Sequence, residues 1–263
     1  MSVIGAVESL WRYPVKSMRG EELNEVFVSF AGIYGDRIFA FHSTATRKGF
    51  PYLTGREKAE MVTYRPRFRH PDKAARPPNL EDAERLPPGA NPVPADPVDL
   101  LLDVETPSGE TFAIDGADLI EKLRRGIDEN HHLKLMRSDR AMTDCRPVSL
   151  FSLQSADALS DEVGATVDKR RFRANIYLDL KDGKSFAEND LVGRSVRVGS
   201  KVVLSILERD PRCAMITLDP DTGEKTPALL KTVAQAHEGM AGVYGAVLVE
   251  GMLQKGDPVE VLA

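Results

Sequence analysis

Two thiols are the residues of this chain with nucleophilic or soft-metal chemistry to offer, and both sit among charges. Cys213 stands in Asp210-Pro211-Arg212-Cys213, and Cys145 in Thr143-Asp144-Cys145-Arg146-Pro147. Proline and charged neighbours place each near a surface or cleft rather than in an apolar core. Arg209 and Arg212 lie within four positions of Cys213. Adjacent positive charge favours the thiolate, the form that attacks electrophiles or ligates soft metals. A small, inert side chain is the equally open reading, and spacing does not choose between the two cysteines.

A second group could bind an anion. Lys16-Ser17, Arg37 and Arg173 each follow strand-like or turn-like sequence. Ammonium, hydroxyl and guanidinium are the donors that hold a phosphate or sulfonate dianion. Taken singly, each is more often a solvated charge. Asn175, two residues after Arg173, would face the same side of a strand, so the pair offers a fork and an amide to one polar ligand or is simply a surface pair. His131-His132 point to opposite faces of a strand, which argues against a shared metal and for polar filler near Asp128. Asp219-Pro220-Asp221-Thr222-Gly223 reads as a turn, since no glutamate follows at calcium-loop spacing. The chain has no glycine-rich phosphate loop, no GxGxxG and no GxSxG. Dinucleotide-binding hydride transfer and nucleophile-elbow hydrolysis therefore lose their main sequence support.

Composition narrows the classes further. The 263 residues carry 35 basic and 40 acidic side chains, a net charge of −5, with 42% apolar residues. That is a globular composition long enough to bury a full core without disulfides. Mild acidity argues against nucleic acid as a partner. Two cysteines exclude a secreted disulfide framework and any four-cysteine zinc or iron–sulfur site. No stretch approaches the roughly 18 apolar residues of a membrane span; the best, 241–253, is glycine-rich and broken by Glu250. No basic region precedes an apolar one at the N-terminus. The expectation is a cytoplasmic protein with reduced thiols and no membrane contact.

The elements that must position these residues are mostly short strands. Residues 3–13, 25–30 and 37–41 have strand patterning, and Pro14 ends the first ladder. Nine of the seventeen prolines fall between Pro66 and Pro97, marking a surface excursion or connector that cannot be a central strand. Strands are expected again at 98–106, 111–114, 148–153, 175–180, 195–198, 201–207, 215–218, 246–250 and 258–262. Helices are expected at 118–125, at 156–163 capped by Ser155, and at 229–236. Many short strands with glycine turns indicate a barrel-like architecture.

Tyr13-Pro14-Val15-Lys16-Ser17 followed by Gly35-Asp36-Arg37 resembles the N-terminal β-barrel domain that precedes MOSC domains. The second half resembles the MOSC domain itself. The matching features are Phe172-Arg173-Ala174-Asn175-Ile176, Arg212-Cys213 ahead of the Asp219 turn, Gly242-Val243-Tyr244 and Gly256-Asp257. The order and spacing of these motifs are more specific than any one of them, and they span nearly the whole chain outside the proline-rich insert. The relatives implied are the mitochondrial amidoxime-reducing component and its bacterial counterparts. The fold class expected is mainly β (α+β). An N-terminal β-barrel-like domain over 1–115, carrying the insert 66–97, would pack on a MOSC β-barrel domain over 116–263 with a few short helices.

The resemblance implies a molybdenum cofactor, a pyranopterin whose dithiolene holds the metal together with one protein cysteine, Cys213, as metal ligand and catalytic residue. It maps pterin and phosphate contacts to Lys16, Ser17, Arg37, Arg173 and Asn175, with Ser152, Arg212 and Tyr244 completing the set. The implied reaction is two-electron reduction of N-hydroxylated substrates such as amidoximes, hydroxylamines or N-oxides, the metal cycling between Mo(IV) and Mo(VI). The chain ends at Ala263 without a cysteine cluster, so the electrons are expected from a separate flavoprotein, ferredoxin or cytochrome b5-type donor. MOSC domains also occur fused to cofactor sulfurases. The competing reading is therefore a sulfur-transfer or cofactor-carrier protein using Cys213. No pyridoxal-phosphate domain is recognisable here, which favours the reductase and argues against pyridoxal-phosphate binding.

Overall fold

Strand β1 (Ser2–Arg12) runs through the centre of the molecule and holds both termini of the chain together. In a computed structural model that describes residues 2–46, 50–81 and 96–262, its first residues pair with β16 (Pro258–Val261), its middle with β11 (Ile176–Leu180) and its end with β2 (Glu21–Leu23). The sheet then continues from β11 through β10 (Val148–Ser152), β14 (Met240–Val249), β13 (Val202–Pro211) and β12 (Ser195–Val198) to β16. Because β1 touches both ends of this series, seven strands close into a barrel with no free edge between them. All pairings are antiparallel except β10 with β11, which the helix α2 (Leu153–Val163) connects as a crossover.

The barrel closes because its strands alternate. Burial runs intermediate–buried along β12 and through the first half of β13, and the inward set is aliphatic: Val7, Leu10, Val148, Leu150, Ile176, Leu178, Val196, Leu204 and Ile206 all join one cluster. Full burial of one such side chain contributes about 1.5–3 kcal/mol. The register of β13 against β14 shifts three times, the last between Arg209 and Pro211. Bulges bend and twist a strand, and here they shape the end of β13, from which Arg212 and Cys213 continue at the barrel rim.

The remaining N-terminal residues build smaller sheets around a second, more aromatic core. One sheet joins β3 (Glu25–Ser29) to β4 (Gly32–Ile33) and to β15 (Gly251–Gln254); another pairs β5 (Phe39–Ser43) with β9 (Leu133–Arg137). A third orders β6 (Arg65–Phe68), β7 (Leu102–Glu105) and β8 (Thr111–Ala113). Phe27, Phe39, Phe41, Tyr64, Met18 and Met61 pack here with Leu119 and Leu123 of α1 (Ala117–Arg124). Pro66 sits on the edge strand β6, where a missing N–H costs no central ladder bond. Residues 82–95 of the proline-rich insert lie outside the described residues.

Two local expectations are corrected. Residues 215–218 form no strand: Ala214–Thr217 is a 3-10 turn. A four-residue apolar run has no period to read, and Pro211 and Pro220 bracket it. The second helix begins at Leu153, not 156, because Ser152 is its cap, its hydroxyl accepting the Ser155 N–H at 3.1 Å. Gly164 ends that helix at φ 72°. The third helix, α3 (Pro227–Ala236), starts with proline and packs beside the 3-10 turn. Among the described residues no helix is long and apolar enough to cross a membrane.

Candidate active site

Two short segments laced side by side form one wall of a cleft between the barrel and the N-terminal sheets. The Lys16 N–H donates to Phe39 O (2.8 Å), the Phe39 N–H to Pro14 O (3.1 Å) and the Arg37 N–H to Tyr13 O (2.7 Å). The fully buried Asp36 carboxylate locks them, accepting from the Tyr13 N–H (2.7 Å) and from Arg37 Nη1 (2.5 Å). Lys16, Ser17 and Arg37 thus arrive in the cleft on a rigid double strand.

The opposite wall comes from the barrel. Arg173 follows the 3-10 turn Lys169–Phe172, and Asn175 immediately precedes β11. Asn175 is spent on structure: its Oδ1 accepts from the Ser149 N–H and hydroxyl at 3.3 Å, and its Nδ2 donates to Trp11 O at 3.2 Å. Arg212 is likewise engaged, donating from Nε to Ala241 O (2.6 Å) and from Nη1 to Phe172 O (2.9 Å). Gly242, at φ +81°, permits this: a Cβ there would come within 2.8 Å of Leu150 O and 3.0 Å of Arg212 Nη2. Cys213 is half-buried on the same wall, with Tyr244 and Asp210.

Of the sequence-derived site residues, Lys16, Ser17, Arg37, Arg173, Asn175, Arg212, Cys213 and Tyr244 line this one cleft. Ser152 does not. Its hydroxyl, fully buried, caps α2 and donates to Glu188 Oε2 at 2.7 Å; a serine at a strand-to-helix junction is held there by the helix N-terminus. The structure also separates the two thiols. Cys145 is exposed on the other side of its segment and donates from Sγ to Glu208 Oε1 at 3.3 Å; burial and that carboxylate push its pKa up. Arg209 turns to Glu238 and does not reach the cleft. His131 is buried against Ser43 Oγ (2.6 Å) while His132 is exposed. Asp219–Gly223 is the expected turn, its Asp219 Oδ1 accepting from the Asp221 and Thr222 N–H groups.

Phe50, Thr54, Arg56, Asp144, Arg146, Ser149, Arg171 and Asp210 are among the other lining residues and were not anticipated as site residues. Asp144 and Asp210 carried a signal, standing in the same short motifs as the cysteines. Arg56 offered only its place after Gly55, which is no signature.

The electrostatics are lopsided. Lys16 is 5% exposed, gives its ammonium to Met142 O (2.8 Å) and Asp144, and is pulled below its ordinary pKa by burial, with Asp144 opposing. Burial works against ionised Asp144, yet Lys16 holds its carboxyl below the usual range. Arg37 also donates from Nη2 to Arg173 O (2.9 Å), and Asp36 raises its pKa against the cost of burial. Arg173 has no such counterion. Its guanidinium lies over the Tyr13 ring at 4.3 Å, its buried Nη2 has no hydrogen-bond partner among the described residues, and burial followed by Arg37 pushes its pKa down to about 10. Asp210, 2% exposed, meets Arg212 Nη2 at 2.7 Å without hydrogen-bond alignment, and burial lifts it to about 6. Burial and Asp210 raise Tyr244.

The backbone is strained at the same place. Five non-glycine residues among those described take positive φ, and three of them, Ser17 (65°), Arg37 (47°) and Arg173 (53°), line the cleft. Such conformations cost on the order of 1–3 kcal/mol each and cluster where a ligand is clamped.

Residues 4–90 match the MOSC N-terminal beta barrel domain and residues 137–260 the MOSC domain. The chain belongs to the MOSC family. The two matches meet at the cleft, which takes Lys16, Ser17 and Arg37 from the first and Arg173, Arg212 and Cys213 from the second. Mitochondrial amidoxime reducing component 2 of Bos taurus is 24% identical over 294 residues, taking in 97% of this chain and 83% of that protein. Molybdenum cofactor sulfurase of Drosophila willistoni is 28% identical over 137 residues, 51% of this chain and 16% of the sulfurase. Among solved structures, the YUAD protein of Bacillus subtilis aligns over 98% of this chain and 94% of its own at 12% identity, with a TM-score of 0.47.

Proposed function

We propose that this MOSC protein binds a molybdenum cofactor in the cleft and reduces N-hydroxylated substrates such as amidoximes, hydroxylamines or N-oxides. One observation carries the reading: a half-buried thiol and an uncompensated buried guanidinium line the same cleft. An orphaned cation beside strained backbone calls for an anion, and a thiol facing that anion's site suits a soft metal. Among the described residues, no three His, Cys, Asp or Glu side chains converge at metal-binding spacing. A metal on Cys213 would thus take its other ligands from the group that brings it, as a dithiolene does. The donor set fits a phosphorylated pterin.

In this reading Cys213 ligates the metal as its thiolate. Arg173, with Lys16 and Ser17, takes the phosphate, each charge-assisted bond contributing about 1.5–3 kcal/mol. Arg37 orients Arg173 through its main-chain carbonyl. Asn175 and Arg212 also position the wall, Asn175 through Trp11 and Arg212 through Ala241 and Phe172, and Arg212 keeps Nη2 without a hydrogen-bond acceptor among the described residues. The cofactor supplies the two-electron redox chemistry. The chain keeps Asp210 and Tyr244 on the same wall as the thiol, Tyr244 with its proton held by burial and by Asp210. Electrons come from a separate flavoprotein, ferredoxin or cytochrome b5-type partner.

Protein expressed in a host that makes the cofactor should carry about one molybdenum per chain by elemental analysis, one Cys213 per site being the premise. Cys213→Ala should lose both the metal and reduction of benzamidoxime by an artificial electron donor. Absence of molybdenum and pterin from the wild type rejects the proposal. Metal without reduction would favour the competing reading, a sulfur-transfer or cofactor-carrier protein using Cys213.

A further inference from the structure

Arg56 lines the cleft without a task in the proposed cofactor set and, unlike Arg146 and Arg171, which pair closely with Glu208 and Asp219, meets its nearest carboxylate only at 3.8 Å. Its backbone is fixed. The Arg56 N–H donates to Thr54 Oγ1 (3.2 Å), and Thr54 in turn bonds Glu57 through its N–H (3.0 Å) and hydroxyl (2.7 Å). Gly55 presses this turn onto the segment that follows Cys213: a Cβ there would lie 2.7 Å from Leu218 Cδ1 and 3.0 Å from Met215 Sδ. The side chain is 22% exposed, its Nε is buried with no hydrogen-bond partner among the described residues, and Asp144 approaches its Nη2 only to 3.8 Å. Lys16 already claims that carboxylate. Beneath the guanidinium, 4.6 Å away, lies the ring of Phe50. An arginine stacked over an aromatic ring on a fixed backbone, with no close counterion of its own, is suited to receive a planar anion.

We propose that Arg56 selects substrates bearing a carboxylate, so that this reductase prefers acidic N-hydroxylated compounds to neutral ones. This rests on the reductase reading above. The carboxylate accepts from Arg56, and the body of the substrate reaches past Phe50 toward Cys213. Lys16 is engaged by Asp144 and, in the reading above, by the phosphate, so the selectivity belongs to Arg56.

The test compares benzamidoxime with its 4-carboxylate in the loaded enzyme, for wild type, Arg56→Met and Arg56→Lys. Wild type should favour the carboxylate by about tenfold in kcat/KM, mostly through KM, as one charge-assisted contact provides. Arg56→Met should bring the ratio near one, and Arg56→Lys should restore part of it. Calorimetric binding of 4-carboxybenzamidine against benzamidine, which needs no turnover, should show the same preference and the same loss. Equal ratios in wild type and Arg56→Met overturn the proposal. So does loss of molybdenum from Arg56→Met, since Arg56 would then hold the cofactor. If neither amidoxime is reduced but the binding preference stands, the reductase reading fails and the anion selectivity survives.

Discussion

The barrel interior and the cleft between its rim and the N-terminal sheets are built by opposite rules. Inside, aliphatic side chains from all seven barrel strands join one buried cluster, extended by Val26, Val28, Ile33, Leu191 and Leu253 from outside the barrel. In the cleft the same chain holds an unpaired arginine, a carboxylic acid lifted to about 6 and three left-handed non-glycine residues. Proteins break local rules at functional sites and are held together elsewhere. The contrast separates what this molecule needs in order to fold from what it needs in order to bind.

Mutations in the two regions should therefore act in opposite directions. Leu204→Ala, inside the barrel, leaves a cavity and should lower unfolding free energy by about 2–5 kcal/mol in a denaturant titration; a loss below ~1 kcal/mol would mean the barrel is not the stabilising core. Arg173→Met, in the cleft, should raise the stability of cofactor-free protein by about 1–2 kcal/mol. A cation whose pKa the fold depresses destabilises the native state at every pH below that value. The same variant should retain less pterin, and a lower Tm would show that Arg173 is structurally paired after all.

Asp210 should give the smallest and most pH-selective effect. Its folded pKa, about 6, lies above the ordinary 3.8. Protonated Asp210 therefore stabilises the fold fully below pH ~4, and that contribution disappears as pH rises through 6. Measured against wild type, Asp210→Asn should gain about 1 kcal/mol more at pH 7.5 than at pH 4. A pH-independent difference would mean that Arg212 keeps Asp210 ionised throughout.

The legibility of each part follows from its physics. Glu25–Ser29 and Ser195–Val198 were readable as strands because one face is buried and the period of two is written into them. Ala214–Thr217 was not, because the packing of α3 and two prolines, rather than any periodicity, decide its conformation. Lys16-Ser17, Asp36-Arg37 and Arg212-Cys213 stood out as motifs. Arg56 and Ser149 did not, since an arginine after glycine and a serine in a strand are common everywhere. Ser152 misled because the same hydroxyl that could meet a ligand also caps a helix.

By itself the amino-acid sequence determined a mainly β protein with one thiol and a set of cations in motifs of the MOSC type, since alternation and short motifs are local. Only the tertiary structure decided that β1 closes the barrel and that Cys213, not Cys145, faces the cations. It alone shows that Arg173 is the cation left without a counterion. Charge pairing and burial depend on which segments meet across long stretches of chain, and no local pattern carries that information.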